Sequence, residues 1–427
     1  MKKLIILLII VAFVLGGCAK KVKLDENVKL SFVKPTGEVK ISVWYAITGA
    51  SGDAFKALVD EYSAQNPNIK IELSYSGSYP DTAAKVSANL ATNTAPDVAL
   101  MAAGPLYTGG RNDFKIETLV EDPSFKKADI YSGIWEYAKF NGRICAIPYG
   151  ISTPVLFYNK SIIKAAGIDM TNPPKTWAEL LVLAKTAKEK GNTTGSSDFW
   201  GFEVSDTPWL FKTMLNQNGN SVIKANDEEN TPIFNQANAV EVGDFWKSLI
   251  DTKVMPIGEH ANAEKKFLAG NVAFMVATSN RIQRWANNKT FELGAVAMPG
   301  FDNQSVALGG NVLVTFSTDQ QKLAASWDLI KFLSNTENQT KFAVETGYLP
   351  IRKTSSDQTI LKDAIIANPL LNVSITQLSK AWSYWHFEEM GTMDGIIYTT
   401  IESIETGTLA PKEALAKGVT DLLKEME

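Results

Sequence analysis

Two histidines, His260 and His386, are all the imidazole in 427 residues. Neither stands at metal-ligand spacing from another His or from a Cys, so no metal or other cofactor is expected. The chain has no GxSxG elbow, no P-loop and no GxGxxG turn, so the usual routes to acyl, phosphoryl or hydride transfer are missing. Carboxylates are plentiful, at 46. Two of them could serve a lipid-anchored glycoside hydrolase, which stays open as a rival reading. The adjacent Glu388-Glu389 reads as a solvated pair.

Planar rings and small polar groups are the residue types that can hold a small molecule by its apolar faces and its polar edges. Of the ten tryptophans, Trp177, Trp246 and Trp327 lie on apolar helix faces and read as core. Trp209 follows Thr207-Pro208 at a loop-to-helix junction, and Trp382 and Trp385 lie in a polar, aromatic-rich stretch. Tyr79 follows the turn Gly77-Ser78, which can push a side chain outward. Ser152 sits in Gly150-Ile151-Ser152-Thr153-Pro154, where a turn hydroxyl bonding its own backbone is the plain alternative. Ser279-Asn280 follows a strand pattern and Gly309-Gly310-Asn311 precedes one, and glycine there allows close backbone approach to a ligand.

The elements that carry these residues alternate. Val39, Ile41 and Val43 read as a strand, and Phe55, Leu58, Val59 and Tyr62 as one face of a helix stopped at Asn66-Pro67. Strands follow at 69–75 and 98–101, with a helical stretch at 82–90 between them. Val155 to Tyr158 is a buried-strand run. Thr176 and Glu179 form a capping box ahead of Trp177, Leu180, Leu181 and Ala184. Helices are expected at 209–217, 236–251, 262–269 and 321–333, and strands at 272–277, 293–298 and 312–316. After Pro350 the pattern is mainly helical. Such alternation implies an α/β fold with a parallel or mixed sheet covered on both faces.

The N-terminus is a leader. Lys2 and Lys3 precede an apolar run from Leu4 to Leu15, too short to span a bilayer, where about 20 residues are needed. The run ends in Leu15-Gly16-Gly17-Cys18, which resembles the lipobox of bacterial lipoproteins. That implies a signal peptide over 1–17 and an acylated Cys18, with 18–36 a flexible tether. Loss of the leader takes Lys2 and Lys3 from 42 basic residues, leaving 40 against 46 acidic ones and a formal charge of −6. An acidic surface argues against nucleic acid and against electrostatic adhesion to anionic lipid. Membrane association would run through the lipid. Cys145 is then alone, among apolar neighbours, and reads as a buried, inert thiol. At this length two lobes are expected.

Several stretches carry a further resemblance: Val43-Trp44-Tyr45 with Thr48-Gly49, Glu61–Pro67, Gly77-Ser78-Tyr79, Thr94-Ala95-Pro96-Asp97, Ile147–Lys160, Pro173–Leu180, Phe267–Asn271 and Thr346–Arg352. In order and spacing they resemble the family-1 extracellular solute-binding proteins of ABC importers, with the glycerol-3-phosphate-binding branch nearest. The resemblance implies a two-lobed periplasmic-binding-protein fold with a ligand cleft between hinge-linked lobes: 37–149 plus 278–335, and 150–277 plus 336–427. It implies a binding protein that is not an enzyme, a monomer that hands a sugar to permease subunits outside the cytoplasm. It places Tyr79, Ser152, Trp209, Ser279, Asn280, Gly310, Asn311 and Tyr348 at the ligand. Around Met393-Asp394-Gly395 the phosphate-gripping arginine of that branch is missing and Asp394 stands in its place, while Ala103 replaces a polyol-binding glutamate. Asp394 would suit sugar hydroxyls, so a neutral saccharide is expected ahead of glycerol-3-phosphate or another polyol phosphate, although Arg281 and Arg284 could serve an anionic cargo. A surface adhesin would show no tight small-molecule binding.

Overall fold

A computed structural model describes residues 34–427 apart from 104–114, 141, 225–228, 259, 287–288, 385 and 388. The leader, Cys18, most of the tether, Trp385 and Glu388 lie outside the described residues. Among those described, no helix is long and apolar enough to cross a membrane.

Thirteen strands are described: β1 Val39–Tyr45, β2 Ile69–Tyr75, β3 Val98–Met101, β4 Lys139–Phe140, β5 Arg143–Ile144, β6 Ile147–Ser152, β7 Pro154–Asn159, β8 Trp200–Val204, β9 Val272–Thr278, β10 Leu293–Val296, β11 Val306–Ala307, β12 Gly309–Thr315 and β13 Ala381–Trp382. They build two main sheets. The first runs β2-β1-β3-β12-β6, and the second β10-β7-β9-β8. Each mixes parallel with antiparallel pairs: β1 lies parallel to β2 and β3, while β12 is antiparallel to β3 and β6. β6 and β7 are separated only by Thr153, so the chain steps from one sheet to the other within one residue.

Local chemistry sets the helix limits. The helix Tyr79–Ala91 is opened by a full capping box, Ser78 with Asp81, and by Pro80 in its first turn. It starts three residues earlier than the apolar periodicity suggests, because the cap decides the boundary. The Thr176/Glu179 box opens Trp177–Lys190 as expected. The helix Thr336–Thr346 ends on Gly347 at φ 76, the left-handed cap that glycine adopts without strain.

Core packing redraws the lobe boundaries. One apolar cluster joins the first sheet to Trp327, Phe342, Tyr348 and Ile351. The other two cover the faces of the second sheet, and Ile282, Trp285, Phe291, Leu293 and Ala295 belong there. The expectation placed 278–335 wholly in the first lobe and 336–427 wholly in the second. β10 instead pairs with β7, and the helix Thr336–Thr346 packs on the first lobe. The hydrophobic pattern of a helix shows which face is buried but not which sheet buries it. Trp177, Trp246 and Trp327 are core, each at most 1% exposed. Cys145 is buried and donates to the Ala138 carbonyl at 3.1 Å. The last tether residues are docked: Lys34 pairs with Asp328 at 3.3 Å, and Asn68 donates to the Pro35 carbonyl at 2.8 Å.

Candidate ligand-binding site

A cavity of about 550 Å³ opens between the sheets, lined from both. From the first lobe come Tyr79, at the first turn of its helix, Ala102 just past β3, and Tyr137. Ser152 and Gly309-Gly310 come from the paired ends of β6 and β12, where Gly309 lies opposite Ser152. The second lobe supplies Asp206, Trp209 and Lys212 from one helix start, Asn280 and Arg281 just past β9, and Asp394 from the first turns of the helix Met390–Glu405. Tyr348, Tyr384 and His386 close the wall.

The glycines are needed for contact. Gly310 sits at φ 118, and a Cβ there would come within 1.9 Å of the Gly150 carbonyl oxygen. A Cβ at Gly309 would come within 3.0 Å of the Trp209 ring, so that indole lies against bare backbone. Among the described residues the buried Trp209 indole N–H has no partner.

The phenols are held and kept protonated. Tyr79 Oη accepts from Asn311 Nδ2 at 3.1 Å, and Asn311 Oδ1 accepts from the Gly150 amide at 2.9 Å. Tyr137 donates to the Gly310 carbonyl at 2.9 Å. Burial pushes the pKa of Tyr79, Tyr137 and Tyr384 well above the usual phenol value. Tyr348 stacks on Phe342 with ring centroids 5.7 Å apart and planes 9° from parallel.

The cations are paired. Lys212, only 4% exposed, bonds the half-exposed Asp394 and lies 4.3 Å over the Tyr384 ring. Arg281 gives Nε to Glu264 at 2.8 Å and Nη1 to Asn280 at 3.2 Å. Asp206 caps its helix by accepting the Trp209 amide at 3.0 Å. It opens onto the cavity, yet burial among protein walls raises its pKa, against the pull of the Trp209 N–H and Lys212. His386 is held neutral, down to about 4, chiefly by burial; its Nδ1 donates to the Lys139 carbonyl at 3.0 Å.

Of the sequence-derived site residues, Tyr79, Ser152, Trp209, Asn280, Gly310, Tyr348 and Asp394 meet at this cavity. Ser279 and Asn311 are corrected: both are fully buried and neither lines it. Ser279 is tied to the inter-sheet residue, its Oγ accepting from the Thr153 amide at 3.3 Å and its own amide donating to the Thr153 carbonyl at 2.8 Å. Asn311 faces inward because its amide is consumed by Gly150 and Tyr79. Arg284 is not among the lining residues, and Arg281 is there but engaged. Trp382 borders a separate pocket of about 30 Å³ behind Lys212 and Tyr384, room for one water. Tyr137, Asp206, Lys212, Tyr384 and His386 escaped the sequence reading; the Asp206-x-x-Trp209 capping spacing is the one local signal that could have flagged any of them. Among the described residues no cluster of His, Cys, Asp and Glu could hold a metal ion.

Two α/β lobes with a ring-lined cavity between them define a class of solute receptors. The sequence profile of the bacterial extracellular solute-binding proteins matches residues 57–372, and the chain belongs to that family. It is 26% identical over 408 residues to the sn-glycerol-3-phosphate-binding periplasmic protein of Escherichia coli K12, covering 89% of this chain and 90% of that one. Two solved structures share the fold. UgpB of Mycobacterium tuberculosis, in complex with glycerophosphocholine, superposes at TM-score 0.79 with 21% identity, over 91% of this chain and 98% of that one. The cyclic alpha-maltosyl-1,6-maltose binding protein of Arthrobacter globiformis gives 0.76 and 23%, over 91% and 100%. The chain is a substrate-binding protein of the ABC-importer type.

Proposed function

We propose that this receptor captures an unphosphorylated sugar or oligosaccharide between its lobes and delivers it to ABC permease subunits, working as a monomer acylated at Cys18 and held outside the cytoplasm. The observation that carries the cargo class is the pairing of charges in an aromatic cavity. Both lining cations, Lys212 and Arg281, already hold carboxylates. A phosphate would have to displace one of them and would face Asp206 and Asp394, whereas sugar hydroxyls can donate to those carboxylates and stack their C–H faces on Trp209 and the tyrosines. Seven of the nine proposed contacts, Tyr79, Ser152, Trp209, Asn280, Gly310, Tyr348 and Asp394, border the cavity; Ser279 and Asn311 act by positioning.

A thermal-shift screen of mono-, di- and oligosaccharides beside glycerol-3-phosphate tests the reading. A ligand at a hundred times its Kd adds about 2.7 kcal/mol to stability. Saccharides should raise the melting temperature; a response to phosphorylated polyols alone would reverse the assignment, and turnover of a glycoside would mark an enzyme. Cys18→Ala should release the protein from the membrane fraction, and continued membrane retention would remove the lipid anchor from this account.

A further inference from the structure

Along the lining Lys212 and Arg281 match Asp206 and Asp394 in number, but Glu264 behind Arg281 adds one more negative charge that nothing cancels. Arg281 is matched by Glu264, which lies outside the lining, and Lys212 is matched by Asp394. His386 is uncharged near neutrality. Asp206 is left over. One of its oxygens takes the Trp209 amide, and among the described residues no cation forms an ion pair with it. The helix N-terminus beside it offsets about half a charge, which leaves the carboxylate under-compensated. Trp209, Tyr384 and Tyr79 line the same cavity, and aromatic ring faces carry negative potential that favours a cation over an anion. The wall already shows the arrangement once: the Lys212 ammonium sits between the Tyr384 face and the Asp394 carboxylate.

Building on the saccharide reading above, we infer that the cavity is matched to a saccharide bearing a protonated amine, its ammonium seated against Asp206 among the rings. A ligand ammonium there makes a charge-assisted hydrogen bond in a partly desolvated site and gives Asp206 an ion-pair partner. A hydroxyl in the same place leaves the Asp206 charge standing, and an N-acetyl group adds bulk with no charge. Burial raises the Asp206 pKa against the pull of the Trp209 N–H and Lys212.

Titration calorimetry of the folded protein with matched compounds decides the matter: glucose, glucosamine, N-acetylglucosamine and a glucose phosphate, and the corresponding disaccharides. The amine member should bind about tenfold more tightly than its hydroxyl and N-acetyl counterparts. Asp206→Asn, which keeps a helix cap, should abolish that preference while the circular dichroism stays native. Equal or tighter binding of the hydroxyl or N-acetyl members overturns the inference and leaves the saccharide receptor intact. Survival of the amine preference in Asp206→Asn overturns the residue assignment. A phosphate member binding best, or silence across the whole panel, overturns the saccharide reading itself.

Discussion

At the scale of single residues, Trp209 and Gly309 form one device, a ring laid on bare backbone with its face available to cargo. Trp209→Ala should weaken saccharide binding by about 2 kcal/mol, roughly thirtyfold, in titration calorimetry. An unchanged affinity would remove the indole from the contact surface. Asn311 acts at one remove. A Cβ at position 150 would come within 2.6 Å of the Asn311 amide, so Gly150→Ala forces that side chain off Tyr79. Destabilisation of about 1–3 kcal/mol is expected in chemical denaturation, together with a loss of affinity. Asn311→Asp, which removes the Nδ2 donor and puts a carboxylate at a fully buried position, should lower both stability and affinity. The residues legible in the sequence share one property: they sit at strand ends or turns, where glycine and small polar groups betray a special backbone. Lys212 and Asp394 are 182 residues apart, and nothing local announces that they meet. The capping spacing of Asp206 to Trp209 marks a helix start and carries no sign of a cavity.

At the scale of elements, the helix Met390–Glu405 links two polar sites. Its first turns carry Asp394 into the cavity, and its last residue, Glu405, is buried against His260, which also bonds Glu203, at 2.9 and 3.1 Å. Trp246 donates to Glu405 at 2.8 Å and the Gly258 amide donates to it at 2.9 Å. Burial opposes the charge on His260, yet the two carboxylates win and lift its pKa from 6.5 to about 9. A raised histidine stabilises the fold fully below its unfolded value of 6.5, and that contribution is lost as pH rises through about 9. Glu405 moves the other way, below 4.5 against the effect of burial, so its share holds above that value and fades on acidification. Thermal melts should therefore be highest between these limits and fall between pH 6.5 and 9. His260→Gln should cost roughly 3–5 kcal/mol by stranding two buried carboxylates, and should flatten the alkaline slope. An equally steep alkaline slope in that variant would place its origin elsewhere. Element types were readable from periodicity and caps, as at Thr176 and Glu179. Element partners were not: the apolar faces of Leu293–Val296 and Thr336–Thr346 fit either sheet, and only the three-dimensional packing chose.

At the scale of the whole molecule, both lobes contribute to one cavity while the backbone crossings between them are few. Thr153 is the single residue between β6 and β7, braced by Ser279 on both its amide and its carbonyl. Among the described residues the buried Thr153 hydroxyl has no partner, so the two Ser279 bonds are the ones that a rotation there must accommodate. Hinge closure about this pair is expected on ligand binding. Small-angle scattering should show the radius of gyration falling when the cognate saccharide saturates the protein. Identical profiles with and without ligand would argue for a rigid receptor.

Where the chain enters the body has a consequence for access. Lys34 and Pro35 are fastened beside Asn66, Asn68 and Asp328, at the starting ends of β1 and β2. The cavity residues Tyr79 and Ala102 follow the finishing ends of β2 and β3. Seven residues of β1 separate the two poles, about 23 Å of extended strand. Any pull arriving through the N-terminal segment is thus delivered to the floor of the first lobe. Were the protein moored there, as proposed through Cys18, its mouth would face away from the mooring point, so slack or tension in the leash would leave the doorway unobstructed and the second lobe free to swing.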